Sequence, residues 1–419
     1  ADSVLERTLP LCRKRGGRWL IKALDKCAAI RLKQFRANDA LTALHEIESL
    51  VPFAPEEGWQ FFDMLYRNFA WAYSAADDHE KCLYYTRRAV EVKQANGIQA
   101  TWFDLWDMGK NHSKLGQRSD NRDEMIAGYT LCLRAAEIVR VAEPASTVML
   151  AKVLSNVGEI CMGLGDSFKQ EGKLQEARSW YSKAVEPLRE SYDLHMTALG
   201  PMKPLTGWQA GIIAHCMVRL EQWAEARTYI AAALRVECTK DSTTPGSVVE
   251  LLDRALGIHQ RLNDLRGMSA YASDLERVLS KMQRSGLLQE RNLYALLLQK
   301  VATVLLMSDI GDCQHMSKAL SFLREAEMLI IDLQTEPTLK VDCGKRGKDT
   351  VNGKKFGPQV DLQLMLAEIK RSIRVLEMGE AALATGEDGH EWTDAVQAWE
   401  PSAGEAAQSE SNDEWEAID

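Results

Sequence analysis

The chain has 419 residues, 46% hydrophobic and 26% charged, a balance that excludes wholesale disorder and fits two or three globular units or one extended repeat array. Eleven prolines and 27 glycines are too few for an all-β chain built on tight turns, and no stretch reaches the 18 uninterrupted apolar residues of a spanning helix. The formal charge of −9 is uneven: Glu387 to Asp419 holds eleven acidic residues and no Lys or Arg, which leaves 51 basic against 49 acidic residues, a net of +2, elsewhere.

In chain order, Arg7–Arg36 comes first, with ten basic residues against one acid. Its apolar positions Trp19, Leu20, Ala23, Leu24 and Cys27 predict a basic helix of the mature protein rather than a cleaved transit peptide. From Ile21 onward small and bulky positions alternate in units of similar length. A weaker unit near Ile21 opens Cys27-Ala28, Ala40 and Leu44. Asp63 opens Tyr66, Phe69-Ala70, Tyr73, Cys82 and Ala89, and Gly109 opens Leu115-Gly116, Gly128, Cys132 and Ala135. The clearest unit starts at Gly158, with Leu164, Gly165, Phe168, Ala177, Tyr181 and Ala184. Gly207 opens a unit with Ile213-Ala214, Met217, Ala226, Ile230 and Ala233. Weaker units start at Glu250 (Leu256-Gly257, Ser269) and at Lys300 (Leu306, Ala319, Leu323, Ala326). Gly172 falls in the turn expected between the two helices of the fourth unit. Acidic pairs such as Glu56-Glu57 and Asp77-Asp78 fit solvated caps at turns.

After the repeats, 336–359 is read as a basic Gly/Lys-rich loop, with Lys340, Lys345, Arg346, Lys348, Lys354 and Lys355. Residues 360–385 carry Leu362, Leu366, Ile369, Ile373 and Leu376 at helical spacing, which predicts a helix that caps the array. Residues 386–419 form an acidic tail without periodicity that holds three of the eleven tryptophans.

The spacing of the fourth unit resembles the tetratricopeptide repeat, a helix–turn–helix of 34 residues with Leu-Gly, aromatic and Ala at fixed positions. Counting Gly158 as the first position, every signature residue fits except the fourth, where Cys161 stands for a large residue. The segment Leu199-Gly200-Pro201-Met202-Lys203-Pro204-Leu205-Thr206 also resembles a joint of the long repeats in the kinesin light chain group, with Lys203 where that joint has His. The resemblance implies an all-α, right-handed α-solenoid of about seven hairpins over 1–335, in which small residues let helices approach and bulky ones fill the gaps.

The resemblance also implies a groove lined by the first helix of each pair. The family's groove positions fall here on Lys22, Lys33, Arg67, Lys110, Lys169, Arg219, Arg254 and Arg261, with acids at Asp25, Asp120, Glu159, Asp166 and Asp312. Spaced cations suit an extended acidic peptide, and the same residues also fit ordinary solvated helix positions. In the tail, Trp392, Trp399 and the run Glu414-Trp415-Glu416 are candidate partner-binding residues, since Trp is costly to leave in water and is enriched at binding hot spots. The tail would fold back on its own chain, dock on another subunit, or act as a solubilising extension.

The sequence holds no phosphate-binding loop, GxGxxG, HExxH or GxSxG, and its histidines are scattered. Nine cysteines without a CxxC pair fit a reducing intracellular compartment, cytoplasm or organelle interior. The expectation is therefore a soluble, non-enzymatic interaction scaffold or adaptor, without metal or cofactor, serving protein partners in a larger complex. The alternatives are nucleic-acid binding through Arg7–Arg36 and the late basic loop, and peripheral contact of the basic first helix with a membrane.

Overall fold

The computed structural model describes residues 2–34, 36–50, 58–142, 147–240, 243–285, 291–308, 313–335, 350–351, 354–355 and 362–385. Most of the basic segment and the acidic tail, with Trp392, Trp399, Glu414, Trp415 and Glu416, lie outside the described residues. The chain divides into two compact units, Ala1–Tyr229 and Ile230–Asp419.

The first unit is wholly helical among its described residues. It contains α1 (Asp2–Arg15), α2 (Gly17–Lys33), α3 (Ala37–Leu50), α4 (Trp59–Ala75), α5 (His79–Ala95), α6 (Trp102–Ser119), α7 (Arg122–Ala142), α8 (Thr147–Gln170), α9 (Leu174–Leu199) and α10 (Pro204–Arg219). The division falls inside α11 (Trp223–Thr239). Sequential helices pack as pairs, α2 on α3, α4 on α5, α6 on α7 and α8 on α9, and each pair packs on the next. First helices also touch one another, α2 on α4, α6 on α8 and α8 on α10. This is the layering of a helical-repeat stack.

One turn geometry joins the first helix to the second in α4–α5, α6–α7, α8–α9 and α10–α11. Asp77, Asp120, Gly172 and Glu221 each take a left-handed backbone, with φ of 62°, 49°, 77° and 61°. The next residue then donates its amide five residues back, to Tyr73, Gly116, Phe168 and Met217 respectively. Its own carbonyl accepts the first bond of the following helix, from Cys82, Met125, Ala177 and Ala226. The donor that satisfies the end of one helix is thus the cap of the next. Asp78 also caps α5 with its side chain, accepting from the Lys81 amide at 3.1 Å.

Leu164, Ala177, Tyr181 and Ala184 are buried, and a Cβ on Gly165 would run into the Tyr181 ring. Phe168 is half-buried, with the Arg122 guanidinium 4.6 Å and the Lys173 ammonium 6.0 Å from its ring centre. Aromatic residues fill the second pair: Phe69 stacks on Tyr85 at 4.4 Å and Tyr85 lies 5.5 Å from Tyr73. The α8 helix is long and apolar enough to cross a membrane by composition alone, yet 67% of its apolar window is buried inside the fold. Its apolarity reflects packing on both sides.

The second unit contains α12 (Pro245–Arg261), a 3-10 helix (Leu265–Tyr271), α13 (Ala272–Ser285), α14 (Arg291–Ser308), α15 (Cys313–Thr335) and α16 (Leu362–Thr385). Asn263 repeats the left-handed turn at φ 53°, with Asp264 donating to His259. The helix expected after it is split, because Asp264 accepts from Gly267 and starts a 3-10 turn that delays α13. The α16 helix packs on α15 and α14 with Met365, Ile369, Ile373 and Leu376 buried. Within the late basic segment, Thr350–Val351 pairs antiparallel with Lys354–Lys355. This two-residue ladder leaves the architecture all-α. Each of the seven expected starts lies in a first helix: Ile21 in α2, Asp63 in α4, Gly109 in α6, Gly158 in α8, Gly207 in α10, Glu250 in α12 and Lys300 in α14.

Candidate functional site

The stacked first helices of the first unit bring polar side chains from distant sequence onto one face. Between α2 and α4, Asn68 donates to Asp25 at 2.9 Å. Asp25 is buried, and burial raises its carboxyl above the usual range against the pull of Lys26 and Asn68. Between α4 and α6, Arg67 donates to Asp63 at 3.1 Å and to Asp104 at 2.7 Å. Lys93 on α5 reaches Asp104 at 2.8 Å. Asp104 is 1% exposed and caps its own helix reciprocally with Thr101. Burial alone would raise its carboxyl, but Lys93, Thr101 and Arg67 outweigh that and hold it low.

Further along the same face, Thr86 donates to Asp107 at 2.8 Å and the Trp106 indole donates to Asn156 on α8 at 2.6 Å. Ser155 donates to Gln209 on α10 at 2.8 Å, and Gln209 donates to the Leu188 carbonyl. Burial raises the Asp107 and Glu159 carboxyls, with Lys110 opposing the shift at both and Lys114 at Glu159. Arg219 pairs with Asp166 at 3.1 Å, and Asp166 also accepts from the Tyr181 hydroxyl at 2.6 Å.

The expected groove cations therefore fall into different settings. Arg67 and Arg219 are bound by carboxylates from neighbouring helices. Lys110 is half-buried, 5.8 Å from the Trp106 ring centre. Lys22, Lys33 and Lys169 are exposed. In the second unit, Arg254 pairs with Glu250 at 3.0 Å and Arg261 is exposed on the last turn of α12. Of the expected acids, Asp166 and Asp25 serve as internal partners, and Asp120 supplies the left-handed turn and accepts from Ser167 at 3.1 Å.

Sequence reasoning missed the aromatic part of this face. Trp71 on α4 is 45% exposed and Phe103 on α6 is 38% exposed, with Met64 one helical repeat before Trp71. The Arg67 guanidinium sits 5.3 Å from the Phe103 ring centre. The i, i+7 spacing of Met64 and Trp71 was the signal available in sequence. Cys82, Cys132, Cys161, Cys216 and Cys238 are buried, and burial pushes the last four thiols to about 12. Among the described residues, no three His, Cys, Asp or Glu side chains converge in a way that could hold a metal ion.

No family model matches the sequence, and no curated protein matches it. Solved structures do. The quorum sensor NprR from B. thuringiensis, in its apo form, is 18% identical over 78% of this chain and 82% of that one, with a TM-score of 0.47. Apo RapI is 12% identical over 90% and 86%, with a TM-score of 0.46. The TPR2AB domain of yeast Sti1, solved in a complex with pHSP90, is 12% identical over 70% and 99%, with a TM-score of 0.22. In its paired helices, shared turns and small-residue contacts, the chain is similar to helical-repeat proteins of the tetratricopeptide type.

Proposed function

We propose that the chain is a non-enzymatic interaction scaffold, a peripheral subunit or assembly factor of a larger complex, whose first-helix face takes extended segments of protein partners. The observation that carries this reading is the exposure of Met64, Trp71 and Phe103 on a face that otherwise satisfies its polar groups internally. Large apolar side chains beside ordered hydrogen-bonding groups are what a partner's anchors need. With Arg67 and Arg219 already paired, the cations exposed to attract an acidic segment in the first unit include Lys22 and Lys33. The acidic tail, through Trp392, Trp399 and Trp415 with Glu414 and Glu416, is a second binding element within the same reading.

The test is identification of proteins that co-purify with the full chain, followed by affinity measurements with each. Replacing Trp71 and Phe103 by Ala should weaken the principal partner by at least about tenfold, with helix content unchanged. Unchanged affinity would remove this face from the function. Equal affinities with and without 387–419 would remove the tail.

A further inference from the structure

From Arg7 onward, α1 and α2 carry a strongly one-sided charge. Ten cations fall between Arg7 and Arg36, and the one acid among them, Asp25, is buried and held by Asn68. The carboxylates that approach from α3 are already bound: Glu46 by Arg13 at 2.9 Å and Asp39 by Arg36 at 2.6 Å. Arg7, Lys14, Arg15, Lys22, Lys26 and Lys33 all extend from exposed positions.

Two apolar side chains project among these charges. Leu11 is 65% exposed and Trp19 is 56% exposed, while Leu9 and Cys12 on the other side of α1 pack against the core. Glycines with positive φ at Gly16 and Gly17 break the helix between them. Across that break the Arg15 guanidinium lies 4.3 Å from the Trp19 ring centre. The contact joins the outward stripe of α1 (Leu11, Lys14, Arg15) to that of α2 (Trp19, Lys22, Lys26).

We propose that the outward face of α1 and α2 docks on an anionic phospholipid bilayer, with its cations at the phosphates and Leu11 and Trp19 in the headgroup boundary. Cations that surround a Leu and a Trp on a helix surface match both halves of that medium, charge outside and hydrocarbon beneath. A nucleic acid would match only the charge. It would leave Leu11 in water, and Arg15 already covers one face of the Trp19 ring that a base would need. The inference shares Lys22 and Lys33 with the partner-binding reading, so the test alters only Arg7, Leu11, Lys14, Trp19 and Lys26, which play no part there.

The test is co-sedimentation of the full chain with vesicles of phosphatidylcholine containing about 30 mol% phosphatidylserine. Vesicles of phosphatidylcholine alone and a single-stranded RNA oligonucleotide are the comparisons. The expected result is binding to the anionic vesicles only, weakened as salt rises from about 0.1 M to about 0.5 M. The triple variant R7Q/K14Q/K26Q should bind on the order of a hundredfold more weakly, at roughly fivefold per cation. L11S/W19S, which changes no charge, should also lose binding. Circular dichroism should show both variants folded, since every altered side chain is exposed. Any of three results overturns the proposal: no anionic vesicle binding at low salt, vesicle binding by L11S/W19S equal to that of the parent chain, or RNA that displaces the vesicles and loses affinity in the triple variant.

Discussion

Lys93, Asp104 and Arg67 show at single-residue scale what groove positions become once neighbouring helices arrive. The position of Arg67 marks it as a groove cation, yet its carboxylate partner Asp104 is 37 residues away, on the next pair. No local spacing reveals that partner. Lys93 is buried with its ammonium on the same carboxylate, so Lys93→Met should destabilise the first unit by about 3 kcal/mol, read from urea denaturation. The residual Arg67–Asp104 bond keeps the loss at the low end of the range. His195 is the opposite case, fully buried with neither ring nitrogen hydrogen-bonded. Burial, aided by the nearby Lys152 charge, lowers its proton affinity below the ordinary histidine value. The folded state then binds fewer protons than the unfolded chain, so stability falls as pH drops below about 6.5. His195→Leu should flatten that acid limb in unfolding measured between about pH 7.5 and pH 5. A remnant is expected from His79, which burial also lowers despite its bond to Asn111 and the opposing charge of Asp77.

Among the elements, the helical pair is where sequence was most legible. Packing positions are periodic and local, so Leu164, Gly165, Ala177, Tyr181 and Ala184 reveal themselves by spacing, and each expected start lands in a first helix. Turns were legible at Gly172 and at the Asp77-Asp78 pair, and less so elsewhere. Gly172 advertises its left-handed backbone and Asp77, Asp120 and Asn263 are of the types that tolerate it, while Glu221 adopts the same geometry with a side chain that seldom does. They are held there by the bonds that close each helix end, a constraint that side-chain chemistry does not display. Glu221 is exposed, so Glu221→Gly should relieve its backbone and raise the denaturation midpoint by the equivalent of about 1 kcal/mol. Gly172→Ala should lower it by a similar amount. If both changes prove neutral, these turns carry no strain. The split between the 3-10 helix and α13 was also illegible, because it follows from one bond between Asp264 and Gly267.

At the scale of the whole molecule, each unit is a succession of neighbours, so protection should follow the number of packed sides rather than distance from the surface. The α8 helix packs on α6, α7, α9 and α10 and buries most of its length. The α1 helix packs on α2 and leaves most of its described side chains exposed. Hydrogen exchange should therefore be slowest in α8 and fastest in α1, with α16 also faster than α14. Uniform exchange across α1 to α10 would mean that the first unit opens as one body. The recurrent turn has a further consequence, for how such a chain changes length. Residues 77, 120, 172 and 221 are equivalent joints. A crossover from one joint to another would delete or duplicate a complete helical pair while leaving the backbone at the seam unaltered, so the protein could lengthen or shorten by whole modules without a new corner.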